Sequence, residues 1–117
     1  MQKTDRYYLQ HMRDYALKLQ ALAARTSRLD YDHDETRQAS YRYWLQVIGE
    51  AARHVSPALK DANPHLNWLP MTGMRNRIVH DYLGIDDDIL WKTVRERIPE
   101  LIEQLSAIIL SLPDEEI

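Results

Sequence analysis

The chain has 117 residues, of which 44% are hydrophobic, a length and an apolar share that suffice for the core of one ordinary domain. Its 15 basic and 18 acidic side chains give a net charge of −3, which argues against a broad polycationic nucleic-acid surface and leaves room only for a local one. Cysteine is absent, so thiol nucleophiles, disulfides, zinc–thiolate sites and iron–sulfur clusters are excluded.

The start of the sequence lacks the features of a secretory signal. Residues 1–8 carry charges and tyrosines where such a signal needs an apolar stretch. No run approaches the roughly 20 apolar residues of a membrane-spanning helix. We therefore expect a soluble, cytoplasmic protein that folds as a single domain over residues 1–117.

The first half of the chain predicts a hairpin of two long helices, because all three glycines and all five prolines lie beyond residue 48. The first helix has a stripe of apolar residues at helical spacing: Leu9, Met12, Ala16, Leu19 and Ala23. Residues 26–35 predict the turn, with three candidate N-caps: Asp30, Asp32 and Asp34. The second helix has a similar stripe and ends before Pro57: Tyr41, Trp44, Ile48, Ala51 and Val55.

After this hairpin the sequence predicts an irregular connection followed by a short helix. Three prolines fall within residues 56–70. Trp68 and Leu69, in the same segment, are expected to be buried in the core of the bundle. Met71–Tyr82 then predicts a third helix, which should close at Gly84 in the left-handed conformation.

The last part of the chain predicts one more helix or two. The aspartates at 86–88 supply an N-cap, an apolar stripe runs from Trp91 to Leu112, and Pro99 should kink or divide the helix. The acidic tail Pro113–Ile117 is expected to fray. Since no alternating strand pattern occurs, the sequence predicts an all-α antiparallel bundle of four to five helices.

Chemically active side chains are concentrated in Met74–Tyr82, which contains two arginines, a histidine and a tyrosine. On an ideal helix Arg75 and Tyr82 share one face, whereas Arg75 and His80 diverge by about 140°. Either the helix unwinds at His80, or the working site combines two copies of the segment in a two-fold dimer. We expect the dimer.

This segment resembles the HEPN superfamily and, within it, the HepT-type toxins, whose signature is Arg, four residues, His, one residue and Tyr. Arg75, His80 and Tyr82 match it in identity and spacing. The segments at 48–52, 68–70 and 89–91 also resemble this family, so the resemblance extends over most of the chain from about residue 38 onward.

The resemblance implies a metal-independent endoribonuclease that needs no cofactor and acts on RNA as a homodimer. It implies Arg75 and His80 as the catalytic residues. It also implies that the protein is the toxin of a toxin–antitoxin pair, whose partner is a minimal nucleotidyltransferase of the MntA type that silences it by adding AMP to Tyr82. The side-chain chemistry is compatible, since histidine transfers protons near neutral pH and a guanidinium holds a phosphate through two hydrogen bonds.

The polar residues around the motif are candidates for supporting roles. Asn76 and Asp81 could orient Arg75 or His80, with a solvated helix position as the alternative for each. Arg77 is assigned to structure or to RNA positioning, and Glu50 could accept a hydrogen bond from Arg75 or from Arg53.

Two other functions stay open for the whole protein. One is a non-catalytic module of the same fold that binds nucleotide or RNA, and the other is a helical protein whose motif only builds a dimer.

Overall fold

The computed structural model describes residues 3–113, and within that range the chain forms seven α-helices and no strand. The helices are α1 (Asp5–Ala23), α2 (Arg28–Asp32), α3 (Glu35–His54), α4 (Pro57–Ala62), α5 (Trp68–His80), α6 (Asp87–Lys92) and α7 (Ile98–Ser111). A 3-10 turn (Tyr82–Gly84) follows α5, and a π-helical turn (Thr93–Arg97) joins α6 to α7. The prediction of an all-α bundle is confirmed.

Helix α1 lies between α3 and α7, and α5 packs against α3. All five residues of the stripe predicted on α1 are buried, which confirms that this face points into the core. The predicted stripe on α3 is also correct, except that Trp44 is only partly buried. The largest fully buried side chains come from six helices and the π-helical turn: Tyr31, Tyr41, Leu9, Met12, Leu19, Ile48, Ile78, Leu90, Leu105 and Val94.

Aspartate side chains set two of the helix starts. The Asp34 carboxylate accepts from the backbone N–H groups of Thr36 and Arg37 at 2.9 and 3.2 Å, which confirms it as the N-cap of α3. Asp86 does the same for α6. Asp30 lies inside α2 instead, where it forms a capping box with Ser27. The predicted turn therefore contains a short helix of its own.

The segment expected to be irregular is more helical than predicted. It contains α4, and α5 begins at Trp68 rather than at Met71. Trp68 is buried and donates from Nε1 to the carbonyl oxygen of Asn63 at 2.9 Å. Leu69 is 83% exposed, so the expectation that it is buried in the core of the bundle is wrong. One residue further along a helix turns a side chain by about 100°, which carries Leu69 from the core side to the solvent side.

The end of α5 also differs from the prediction. The helix stops at His80 rather than at Tyr82, because the backbone of Asp81 leaves the helical region at φ −145° and ψ 54°. Gly84 is not left-handed, since no described glycine has a positive φ. The Asp81 carboxylate lies close over Gly84, so a larger residue at this position would only require that exposed side chain to turn away.

Pro99 divides the last helical stretch, as predicted. It lacks an N–H donor, and the wider π-helical turn ends two residues before it, so that Pro99 falls in the first turn of α7. The apolar stripe stays continuous across this junction, with its central residues buried: Val94, Ile98, Leu101 and Leu105. Of the predicted frayed tail, residues 114–117 lie outside the described residues. None of the helices within residues 3–113 is both long and apolar enough to cross a membrane.

Candidate active site

The motif helix α5 packs directly against α3 at Gly49. A Cβ at this position would lie 2.6 Å from the carbonyl oxygen of Met71 and would also collide with Cβ of Arg75. Only hydrogen fits here, so the missing side chain lets the two helix backbones come together. This contact brings the base of Arg75 against α3.

Arg75 forms an ion pair with Glu50, the residue after Gly49. Arg75 Nε and Glu50 Oε2 are 2.9 Å apart, and both atoms are inaccessible to solvent. The N–H bond is not aimed at the oxygen, so the contact is electrostatic rather than a well-directed hydrogen bond. Arg75 Nη1 donates to Oδ1 of Asn76 at 2.9 Å, which fixes a second edge of the guanidinium.

The other oxygen of Glu50 contacts two further basic groups. Oε1 accepts from Arg53 at 3.1 Å and lies 3.2 Å from Nε2 of His54. Partial burial raises the pKa of Glu50, but Arg75, Arg53 and the hydrogen bond with His54 together hold it below its ordinary value. Glu50 therefore remains a carboxylate and gathers Arg75, Arg53 and His54 at one place. Arg75 and Arg53, the two partners considered for Glu50 from sequence, are both present.

The structure does not bring His80 to Arg75. His80 ends α5 with an exposed side chain, and within residues 3–113 it makes no hydrogen bond or ion pair. Arg77 is likewise exposed and unpaired in that range. Asn76 orients Arg75, whereas the Asp81 carboxylate lies over Gly84 and contacts neither catalytic candidate. In one copy of the chain, then, Arg75 faces α3 and His80 faces solvent.

Tyr82 lies beyond the end of α5 and packs against α3. Arg75 also packs against α3, so both side chains are directed at the same helix, although only Arg75 belongs to α5. Its ring centroid is 4.6 Å from Cζ of Arg42, and Arg42 Nη1 donates to the Tyr82 carbonyl oxygen at 3.2 Å. The Tyr82 side chain is 44% exposed. Arg42 thus holds both the backbone and the ring of this tyrosine while leaving it accessible.

Arg42 is itself fixed by a carboxylate from α6. Its Nη2 donates to Oδ1 of Asp87 at 2.9 Å, and the Tyr31 hydroxyl donates to the same oxygen at 2.8 Å. Partial burial raises the pKa of Asp87, but these two hydrogen bonds and the charge of Arg42 hold it below its ordinary value. Burial and the contact with Asp87 raise the pKa of Tyr31. Tyr82 is therefore tied through Arg42 to a charged network at the start of α6.

The sequence reasoning missed Arg42, Asp87 and the close approach at Gly49. One signal was available, because Arg42 and Gly49 are seven residues apart and share one face of α3. A glycine in the middle of a helix often indicates that another helix packs closely against that face. An arginine on the same face then points toward the same neighbouring segment. Among the described residues, no group of three or more histidine and carboxylate side chains is placed to hold a metal ion.

Comparison with known proteins identifies the family of this chain. Residues 12–108 match the family model described as ribonuclease HepT-like. A putative RNase of Caldanaerobacter subterraneus is 29% identical over 107 residues, which cover 92% of this chain and 96% of the relative. A probable ribonuclease HepT of Thermococcus cleftensis is 30% identical over 101 residues, which cover 86% and 92%. No solved structure gives a significant match. The chain therefore belongs to the HepT-like ribonuclease family of the HEPN superfamily.

Proposed function

We propose that this protein is a metal-independent endoribonuclease that acts as a homodimer in the cytoplasm, with Arg75 and His80 as its catalytic residues. Its family and the ribonuclease names of its relatives support the proposal. The main supporting observation is that Arg75 is held in place and His80 is exposed, so that both have groups free to bind a substrate. Glu50 and Asn76 hold Arg75, whose Nη2 has no partner within residues 3–113, and His80 is exposed and unpaired in the same range.

These groups suit cleavage of RNA by its own 2′-hydroxyl. His80 removes the 2′-hydroxyl proton, and the oxygen attacks the adjacent phosphorus while the bond to the 5′-oxygen breaks. His80 of the second copy gives a proton to that leaving oxygen, and the products are a 2′,3′-cyclic phosphate and a 5′-hydroxyl. Arg75 stabilises the charge that builds up on the phosphate oxygens. Each proton transfer is worth about 10²–10⁴ in rate.

A second copy is needed because of the direction of the side chains. Arg75 and His80 leave α5 about 140° apart, so one copy alone does not close around a phosphate with both side chains, whereas a cleft between two copies does. A two-fold dimer that covers the outer face of α5 supplies the histidine from the other copy. Val79 and Leu83 lie close to His80 in the sequence and expose apolar side chains, with Leu83 95% exposed. Their burial would contribute to such a contact.

The proposed partner is a minimal nucleotidyltransferase of the MntA type, which acts as an antitoxin by adding AMP to Tyr82. The accessible ring of Tyr82, held by Arg42 two residues after His80, supports this assignment. The added AMP brings a charged phosphate and a bulky base next to the site where RNA must bind. Both its size and its charge then exclude the substrate.

RNA cleavage by purified variants tests the catalytic assignment. We expect the wild type to cleave single-stranded RNA in the presence of a metal chelator, and Arg75→Ala and His80→Ala to lose at least about a hundredfold in rate. Arg25→Ala, which removes an exposed arginine of the α1–α2 connection, should cleave as the wild type does. Unchanged rates in both site variants would disprove the assignment. RNA binding without any cyclic-phosphate product would favour the non-catalytic module.

Two further measurements test the dimer and the antitoxin. Mixing Arg75→Ala with His80→Ala should restore part of the cleavage, because mixed dimers then contain one intact Arg75 and one intact His80. Intact-mass measurement after incubation with the partner enzyme and ATP should show added AMP on the wild type and none on Tyr82→Phe. No restored activity would argue against a composite site, and AMP on Tyr82→Phe would place the modification elsewhere.

A further inference from the structure

Helix α1 carries a line of aromatic and basic side chains that the proposed chemistry does not use. Five of them follow each other at spacings of three or four residues: Lys3, Tyr7, His11, Tyr15 and Lys18. Tyr7, His11, Tyr15 and Lys18 lie along one side of α1, where Tyr15 borders the buried stripe and packs in part against the core. Lys3 lies just before the N-cap of the helix. We call these five residues the α1 strip.

The rings of the α1 strip are in contact with one another. Tyr7 and His11 have centroids 4.4 Å apart in an edge-to-face arrangement, and His11 and Tyr15 are 6.4 Å apart and nearly parallel. Lys3 and Lys18 lie over the two outer rings, at 5.1 Å from Tyr7 and 5.9 Å from Tyr15. From Tyr7 to Tyr15 the strip is about 12 Å long, enough for two or three nucleotides.

This strip is continuous with the candidate active site. Tyr7 packs edge-on against Tyr8 at 5.2 Å, and Tyr8 stacks on His54 at 5.1 Å with the planes 14° apart. His54 in turn contacts Glu50, the residue that holds Arg75. A path of direct contacts therefore joins Arg75 to Tyr15.

The charges along this path suit a polyanion. Arg53 and His54 lie between the strip and Arg75, and both are exposed. Glu50 pairs with three basic groups, which offset its charge, whereas Asp5 accepts from the neutral Ser56 N and Oγ at 2.9 and 2.6 Å and keeps its negative charge. Asp14 is an exposed carboxylate on the same side of α1 as Tyr7.

We propose that the α1 strip binds single-stranded RNA, by stacking unpaired bases on Tyr7, His11 and Tyr15 while Lys3 and Lys18 contact the phosphates. Aromatic rings interleaved with basic side chains are the common means of holding single strands without reading their sequence. In RNA duplexes the bases stack on each other and are not free to stack on side chains, so the strip selects unpaired RNA. This inference rests on the proposed function only for its biological role, since binding is measurable without cleavage.

Binding is tested on the full chain carrying His80→Ala, so that the RNA stays intact. The probes are a labelled 12-nucleotide single strand and the same strand in a perfect duplex, at one fixed salt concentration. We expect Tyr7→Ala/His11→Ala to weaken single-strand binding at least about tenfold and to change duplex binding far less. Tyr7→Phe keeps the ring and should stay within about twofold of the parent.

Two other variants on α1 serve as controls. Leu17→Ala shortens an exposed side chain of α1 outside the strip and should leave affinity unchanged. Asp14→Asn removes a negative charge beside the strip and should strengthen binding. In the active protein, Tyr7→Ala/His11→Ala should raise KM for single-stranded RNA with little change in kcat, because a remote stacking platform contributes equally to substrate and transition state.

Several results would overturn the proposal. They are unchanged single-strand affinity in Tyr7→Ala/His11→Ala, an equal loss with the duplex, and loss of helicity or of the dimer in that variant. Failure of the proposed function is a separate outcome. If the wild type cleaves no RNA but the His80→Ala protein binds single strands through the strip, the binding site stands and the catalytic assignment falls.

Discussion

Arg75 Nε lies 2.9 Å from Oε2 of Glu50, in a solvent-inaccessible contact beside the point where α3 and α5 meet at Gly49. The ion pair thus joins the motif helix to α3, the longest helix of the described chain. Glu50 does not face the proposed reacting atoms itself. It acts by holding the guanidinium in one position, which a long flexible side chain does not keep unaided.

Glu50→Gln should therefore slow RNA cleavage while leaving the fold intact. The neutral amide no longer attracts Arg75, and a misplaced guanidinium costs between about tenfold and about a hundredfold in kcat. Single-turnover cleavage measures this effect. Glu96→Gln, the same change at an exposed position in the π-helical turn, is the control and should keep the wild-type rate. Equal rates for the two variants would show that Arg75 needs no such support.

Two glycine substitutions distinguish the effect of close helix packing on stability from the effect of helix propensity. Gly49→Ala places a methyl group against the carbonyl oxygen of Met71 and should destabilise the protein by about 1–3 kcal/mol. Gly73→Ala lies in α5, where a Cβ meets nothing within 4 Å, and should raise stability by about 0.5–1 kcal/mol. Urea unfolding of both variants measures the two effects. Similar values for both would show that α3 and α5 readily move apart at Gly49.

The buried faces of the long helices were predictable, because a period of 3.6 residues alone decides which side chains of α1 meet the core. Glu50 was also found from sequence as a partner for Arg75, since two opposite charges in neighbouring helices attract. The position of Tyr82 was not predictable. It depends on the backbone of Asp81 leaving the helix and on Arg42, forty residues earlier, and neither follows from local periodicity.

Arg42 should control both the stability of the protein and the placement of Tyr82. Its side chain is only 11% exposed, and it binds Asp87, the Tyr82 carbonyl and the Tyr82 ring. Arg42→Ala leaves Asp87 without the guanidinium that is hydrogen-bonded to it and should cost about 2 kcal/mol. Arg42→Lys should recover part of this stability but not the planar contact with the ring.

Modification of Tyr82 gives a second measure of this role. Once Tyr82 is no longer held, we expect the rate of AMP addition to fall in Arg42→Ala and in Arg42→Lys. The measurement is the intact mass as a function of time after the partner enzyme and ATP are added. If Arg42→Lys is folded and modified at the wild-type rate, Arg42 is a structural residue only.

Asp87 makes this network sensitive to acid. Its pKa is lower in the folded protein than its ordinary value of 3.8, mainly because the hydrogen bonds from Tyr31 and Arg42 outweigh the effect of partial burial. A lowered pKa means that the stabilisation is fully present above that ordinary value and is lost as the pH falls through the folded-state pKa. Asp87→Asn should therefore be less stable than the wild type at neutral pH, and the difference should shrink as the pH is lowered below about 3.8. Urea unfolding of both proteins across that range measures it, with Asp61→Asn, at an exposed position in α4, as the control. A difference that stays constant with pH would show that the charge of Asp87 does not stabilise the fold.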